Sequence, residues 1–83
     1  MKIQLKFFAR LRERLGPGEV LDLPTGATVA DARAQLVARG GEHADLLATS
    51  KTARCALDQV MCGEAAALHD GAELAFFPPV TGG

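Results

Sequence analysis

An α+β fold, with a mixed sheet and one principal helix packed across it, is the architecture that this 83-residue sequence predicts. Three observations predict it. Both ends of the chain alternate polar and apolar residues with the period of a strand, a single stretch between them repeats apolar residues at helical spacing, and Gly- and Pro-rich turns separate the segments.

The elements follow in order. Along Lys2–Phe7, Ile3, Leu5 and Phe7 fall on one side and Lys2, Gln4 and Lys6 on the other, which predicts a strand with the apolar set inward. The same count turns Phe8 outward. Ala9–Leu15 fits a helical turn or two, stopped by Gly16-Pro17-Gly18. Residues 19–23 read as a second strand, antiparallel to the first because the connection is compact. After the turn at Pro24-Thr25-Gly26-Ala27, Thr28 or the residues before it can cap a helix. Its apolar positions Val29, Ala32, Leu36 and Val37 run on until Gly40-Gly41. Asp31 near its start and Arg39 near its end suit the helix dipole. Residues 42–49 are ambiguous between a short helix and a loop. Residues 54–58 are apolar enough for a strand with Leu57 inward, and no pattern fixes where it ends before Met61-Cys62-Gly63. Asp70-Gly71 signals a turn, and residues 72–77 form a last strand with Leu74 and Phe76 inward and Phe77 outward.

Composition narrows the function. Apolar residues make up 48%, an ordinary globular share, and nine Lys or Arg against ten Asp or Glu leave a formal charge of -1. Such a balance offers no broad attraction to nucleic acid or to an anionic membrane. A chain this short buries only about two thirds of its unfolded surface, so a deep catalytic cleft is hard to build. Function is expected on a surface or at a chain end. No signal-peptide or membrane-spanning pattern occurs, and a cytoplasmic location is the expectation. Cys55 and Cys62 lack the density of a disulfide scaffold and are expected to be free thiols. They are seven residues apart and not a CxxC pair, and His43 and His69 have no ligand cluster near them, so no metal site is expected.

The end of the sequence is the most informative segment. Pro78 and Pro79 terminate the last strand because neither has an N–H for a ladder, and they favour extended backbone. Val80-Thr81-Gly82-Gly83 follows. Residues 1–77 thus read as one domain and residues 78–83 as a flexible tail ending in Gly-Gly, thin enough to thread into another protein's active site. A carboxylate there needs activation before it can accept a nucleophile.

The stretch from Asp70 to Gly83, above all Phe-Phe-Pro-Pro-Val-Thr-Gly-Gly, resembles the C-terminus of the MoaD/ThiS ubiquitin-like family of sulfur carriers, and in particular its molybdopterin synthase branch. Similarity continues at Leu5-Lys6-Phe7-Phe8-Ala9 with Arg12-Glu13, at Thr28-Val29 and at Leu57-Asp58-Gln59, and is weak between Gly40 and Ala53. The resemblance implies a β-grasp fold and a sulfur-donor subunit that is not itself catalytic. Gly83 matches the residue that is adenylated and converted to a thiocarboxylate, with Gly82, Thr81 and Val80 as its lead. It implies three partners: a MoeB-like, ubiquitin-activating-type adenylyltransferase using ATP and magnesium, a sulfur donor enzyme, and the MoaE-like large subunit of a heterotetrameric synthase, where sulfur passes to cyclic pyranopterin monophosphate. No permanently bound cofactor is implied. Two departures concern loop geometry: Asp58 stands where Asn is typical, and residues 61–68 lack the usual Pro.

Phe8, Met61 and Phe77 match apolar positions through which the family contacts its partners, and Arg12 matches a position favoured for pairing with an acidic partner residue. If the first and last strands are neighbours, Phe8 and Phe77 share one exposed patch beside the root of the tail. For Phe7 and Phe76 the core is the expected place. Lys51 and Arg54 read as solvated. Three other functions use the same features differently: a thiamine-pathway carrier, a ubiquitin-like protein modifier, and an interaction module whose Gly-Gly has no chemistry.

Overall fold

Alternation along Lys2–Phe7 is realised in the computed structural model, which describes residues 1–49 and 52–79, as strand β1 with Ile3, Leu5 and Phe7 buried and Lys2, Gln4 and Lys6 exposed. The following elements are α1 (Ala9–Leu15), β2 (Gly18–Asp22), α2 (Val29–Val37), α3 (Gly41–Leu47), β3 (Arg54–Leu57), β4 (Val60–Cys62) and β5 (Glu73–Phe77). The five strands form one sheet in the order β2-β1-β5-β3-β4. The first and last strands are parallel neighbours at its centre, with Leu5 opposite Leu74 and Phe7 opposite Phe76, and the remaining pairs are antiparallel.

The pairing of β2 with β1 leaves no room for a side chain at the first residue of β2, which is glycine. Gly18 has φ +149, and a Cβ there would lie 2.1 Å from the Leu5 carbonyl oxygen, a distance no side chain tolerates.

Helix α2 begins where Thr28 predicts. The Thr28 hydroxyl accepts from the Asp31 amide, and the Asp31 carboxylate accepts from the Thr28 amide at 2.8 Å, a reciprocal capping box. Its buried residues are Val29, Ala32, Arg33 and Leu36, at i, i+3, i+4 and i+7. The apolar three join Ile3, Leu5, Phe7, Leu11, Leu47, Leu74 and Phe76 in a single core against one face of the sheet. Phe7 and Phe76 stack there with ring centroids 6.2 Å apart.

Four details differ from the sequence-based expectation or complete it. Residues 42–49, ambiguous in pattern, supply most of the short helix α3, which begins at Gly41 and whose Leu47 is fully buried. Strand β4 has only three residues, below the length at which a period can be read from sequence. It is joined to β3 through Asp58 and Gln59, both at positive φ (+49 and +68), the backbone of a tight two-residue hairpin. Such turns favour Asn or Gly, so Asp58-Gln59 is a weak signal for one. In β3 the more deeply buried residue is Cys55 and not Leu57, because Leu57 lies toward the hairpin tip, where the helices no longer cover the sheet.

Candidate functional site

The helices cover one face of the sheet and leave the other to solvent. At Phe8 the backbone is still extended (φ -122, ψ 158), and its N–H donates to the Phe76 carbonyl at 3.1 Å, continuing the parallel ladder for one more residue. Alternation therefore carries the Phe8 ring to the face opposite Phe7, where it is 44% exposed. Ala9 then takes φ +53, a left-handed conformation that costs a residue with a Cβ about 1 kcal/mol, and this kink ends the strand and turns the chain into α1.

Phe77 lies next to Phe76 on β5, one step beyond the Phe7–Phe76 pair, and so falls on the same open face as Phe8. It is half-buried, less open than Phe8. Arg54 stands opposite Phe77 on β3. The next row across the sheet runs Lys6, Ala75, Ala56 and Met61, with small side chains between the exposed Lys6 and the exposed Met61. The register thus places Phe8, Phe77 and Met61 on one surface.

Arg12 reaches the same surface from α1. Together with Lys6, Phe8, Pro17, Gly18 and Val20 it lines a shallow open depression of about 450 Å³. Val20 is 52% exposed there. Lys6 is paired with Glu73 at 3.2 Å. Arg12 and Arg54 are exposed and have no ion-pair partner among the described residues, so the rim of the apolar surface carries cationic groups. Phe8, Val20, Val60 and Met61 are the large hydrophobic residues exposed among the described residues. Three lie on this face or line its depression, and Val60 adjoins Met61 at the hairpin tip.

The tail residues named from sequence, Val80, Thr81, Gly82 and Gly83, lie outside the described residues. What precedes them is placed. β5 is the central strand, it ends at Phe77, and Pro78 and Pro79 follow half-buried. The chain therefore leaves from the end of the sheet that carries Phe8 and Phe77.

Two side-chain clusters that the sequence reading did not single out hold this surface in shape. Arg33 is 5% exposed, and all five of its N–H donors are used. They reach Glu64 Oε1 at 2.6 Å and Oε2 at 3.0 Å, and the carbonyls of Leu47 at 2.8 Å, Thr49 at 2.9 Å and Ala53 at 2.8 Å. Its Cζ lies 5.3 Å from the centroid of the Phe76 ring. One guanidinium thus ties α2 to the end of α3, to the entry of β3 and to the segment after β4. The signal was present: position 33 completes the i, i+3, i+4, i+7 stripe, and a cation on that stripe demands buried acceptors.

The second cluster is at the hairpin tip. The Asp58 carboxylate accepts from the Glu73 amide at 3.0 Å and faces His69 Nε2 at 2.6 Å, while His69 Nδ1 lies 3.1 Å from the Asp70 carbonyl. A neutral imidazole can donate from one nitrogen only, so this arrangement favours the imidazolium. The Glu73 amide, and after it His69, holds the Asp58 carboxyl below its ordinary value of 3.8. Asp58, and after it the Asp70 carbonyl, holds His69 above 6.5. Asp58 thus both takes the positive-φ turn position and adds an ion pair to the turn.

No group of three potential metal ligands occurs among the described residues, and both cysteines are free. Among the described residues no helix is long and apolar enough to cross a membrane.

A five-stranded mixed sheet with its first and last strands parallel at the centre, crossed on one face by a helix, defines a ubiquitin-like β-grasp protein with an uncovered sheet face beside its C-terminal strand. The profile of the ThiS family matches residues 5–83, and the chain belongs to that family. It is 38% identical over 86 residues to the molybdopterin synthase sulfur carrier subunit of Chlamydomonas reinhardtii, with the whole of both chains covered (100% and 100%). To the subunit of the same name from Escherichia coli it is 36% identical over 81 residues, covering 98% of this chain and 99% of that one. Among solved structures it is similar to the small archaeal modifier protein 1 of Haloferax volcanii, with 28% identity, a TM-score of 0.70, and coverage of 95% of this chain and 98% of the other.

Proposed function

We propose that this chain is a sulfur carrier for molybdopterin synthesis. The observation that carries the proposal is the coincidence of full-length likeness to two sulfur carrier subunits with an apolar, cation-rimmed sheet face at the root of a Gly-Gly tail. In this reading a MoeB-like enzyme holding ATP and magnesium directs a Gly83 carboxylate oxygen at the α-phosphorus, and pyrophosphate leaves. A sulfur nucleophile from a sulfur donor enzyme then adds to the acyl carbon and displaces AMP, leaving a thiocarboxylate. The tail delivers that sulfur to cyclic pyranopterin monophosphate inside a MoaE-like large subunit, in a synthase of two large and two small chains. The energy and the acid–base groups come from the partners, so this chain contributes an acyl group and its delivery.

Phe8, Phe77 and Met61 would be buried against each partner in turn, with Arg12 meeting an acidic residue. Aromatic anchors of this kind dominate interfaces, so the sheet face supplies affinity and the tail stays free to react. Exchange between the activating enzyme and the large subunit requires that the same face serve both, one at a time.

Intact mass tests the carrier chemistry. After incubation with ATP, magnesium, the activating enzyme and a sulfur donor, one oxygen of the chain is expected to be replaced by sulfur at Gly83, and deletion of Gly83 should abolish the change. An unaltered mass with partners that process a known carrier would refute it. The likeness to an archaeal modifier favours a second reading, attachment of the same activated terminus to lysines of other proteins. Gly83-linked lysine peptides in a cell digest would establish that use.

A further inference from the structure

Cys55 and Cys62 are seven residues apart in sequence, but the register of β3 and β4 sets them directly opposite each other. Their Sγ atoms are 3.5 Å apart. We propose that these two thiols are a reversible oxidation site, closing a cross-strand disulfide on exposure to hydrogen peroxide and reopening with a thiol reductant. The site is separate from the chemistry of the chain end.

Geometry permits the bond. Residues directly opposite on antiparallel strands have Cα atoms about 4.5–5.5 Å apart, inside the span of about 4.4–6.8 Å that disulfides occupy. Closure requires the sulfurs to approach from contact to about 2 Å. The element that can yield is β4, a three-residue edge strand paired on one side only and joined to β3 by a two-residue turn.

The two sulfurs differ in the way a stepwise oxidation needs. Cys62 is half-buried and open to a small oxidant, whereas Cys55 is 2% exposed. Burial, and after it the adjacent Cys62, pushes the Cys55 thiol up to about 12, which keeps it inert in the reduced protein. Cys62 therefore reacts first. Its sulfur attacks one peroxide oxygen, an S–O bond forms as the O–O bond breaks, and the departing hydroxide leaves as water with the thiol proton. The Cys55 sulfur then attacks the Cys62 sulfur, an S–S bond forms as the S–O bond breaks, and the hydroxide leaves as a second water with the Cys55 proton. The Glu64 carboxylate, with Oε2 at 3.9 Å from Cys55 Sγ, is placed to relay that proton. Two thiols give up two electrons, and one peroxide becomes two waters.

A pair of cysteines serving only as small core residues would not need both sulfurs in contact, nor one of them accessible. The bond would tie the edge strand that carries Met61 to the body of the sheet independently of its ladder.

The test treats the full chain with hydrogen peroxide and reads intact mass, followed by digestion with a protease that cuts before Asp58, since trypsin leaves both cysteines in one peptide. Expected is a monomer lighter by two hydrogen atoms, with its two cysteine peptides linked and the original mass regained on treatment with dithiothreitol. Cys62→Ser, a change at the half-buried position, should remain folded and show neither a link nor an added oxygen at Cys55 in its peptides, any oxygen gained at the exposed Met61 being assigned separately from the digest. Cys55→Ser should instead gain oxygen at Cys62. Oxygen addition at Cys62 of the unsubstituted chain without a link to Cys55, links only between molecules, or a dithiol that stays unreacted would each overturn the proposal.

Discussion

Phe7 and Phe8 are neighbours in sequence, as are Phe76 and Phe77, yet the inner pair and the outer pair live in different environments. Phe7 and Phe76 are 1% and 0% exposed and stack on each other under the helices. Phe8 and Phe77 sit one ladder step further on, on the face no helix covers. The four side chains are chemically identical. What separates them is the two-residue period of a strand, and it makes one pair the centre of the core and sends the other to the open face of the sheet.

The comparison breaks first, and most severely, at the inner pair. Phe76→Ala should cost about 3–5 kcal/mol through lost burial and the cavity left behind, and it also removes the ring under Arg33. That is close to the whole stability of a domain this small, about 5 kcal/mol, so urea unfolding should show a chain partly unfolded without denaturant.

Arg33→Ala comes next, at about 3 kcal/mol, because three backbone carbonyls and Glu64 lose their donor at once. The Glu64 side chain is 36% exposed and screened by water, so most of the loss is assigned to the carbonyls. Glu64→Gln should accordingly lower the urea midpoint much less than Arg33→Ala.

The outer pair should respond in the opposite sense. Phe8→Ala is expected to change stability by less than about 1 kcal/mol, as exposed positions do. Its affinity for a large synthase subunit, measured by titration calorimetry, should fall at least about tenfold, as for an interface anchor. Met61→Ala should weaken binding less. A Phe8→Ala protein that melts like Phe76→Ala would erase the distinction between the two faces.

The smallest effect sharpens the picture at the hairpin that presents Met61. Asp58 titrates below 3.8, so its contribution is complete above that pH and is lost as pH falls through the lower folded-state value. His69 titrates above 6.5, so its contribution is complete below that pH and is lost as pH rises through the higher folded-state value. The hairpin should be held most firmly between 3.8 and 6.5, with amide exchange at residues 58–62 accelerating on either side once intrinsic exchange is allowed for. Asp58→Asn retains a residue suited to positive φ and should flatten the profile.

Much of the fold is legible in the residues. The periods of β1, α2 and β5 and the Thr28 cap are local properties, set by how far each side chain stands from its neighbours along a single element. Phe8 and Phe77 as outward residues follow from the same counting. Strand β4 is too short to carry a period, and its turn uses Asp58-Gln59 where Asn-Gly would announce itself. Arg33 stands on the core stripe of α2 in plain view, but its acceptors come from residues 14 to 31 positions further along, beyond the reach of local pattern.

The sequence by itself determined which apolar residues of β1 and α2 face the core, where the principal helix begins, and that a Gly-Gly lead follows the last strand. Only the tertiary structure decided that the first and last strands lie side by side, which brings Phe8, Phe77, Met61 and Arg12 to one surface, and that Cys55 faces Cys62 across a hairpin. The physical reason is that periodicity fixes orientation about one element's own axis, whereas the order of strands is chosen by the competition of all apolar faces for a single core.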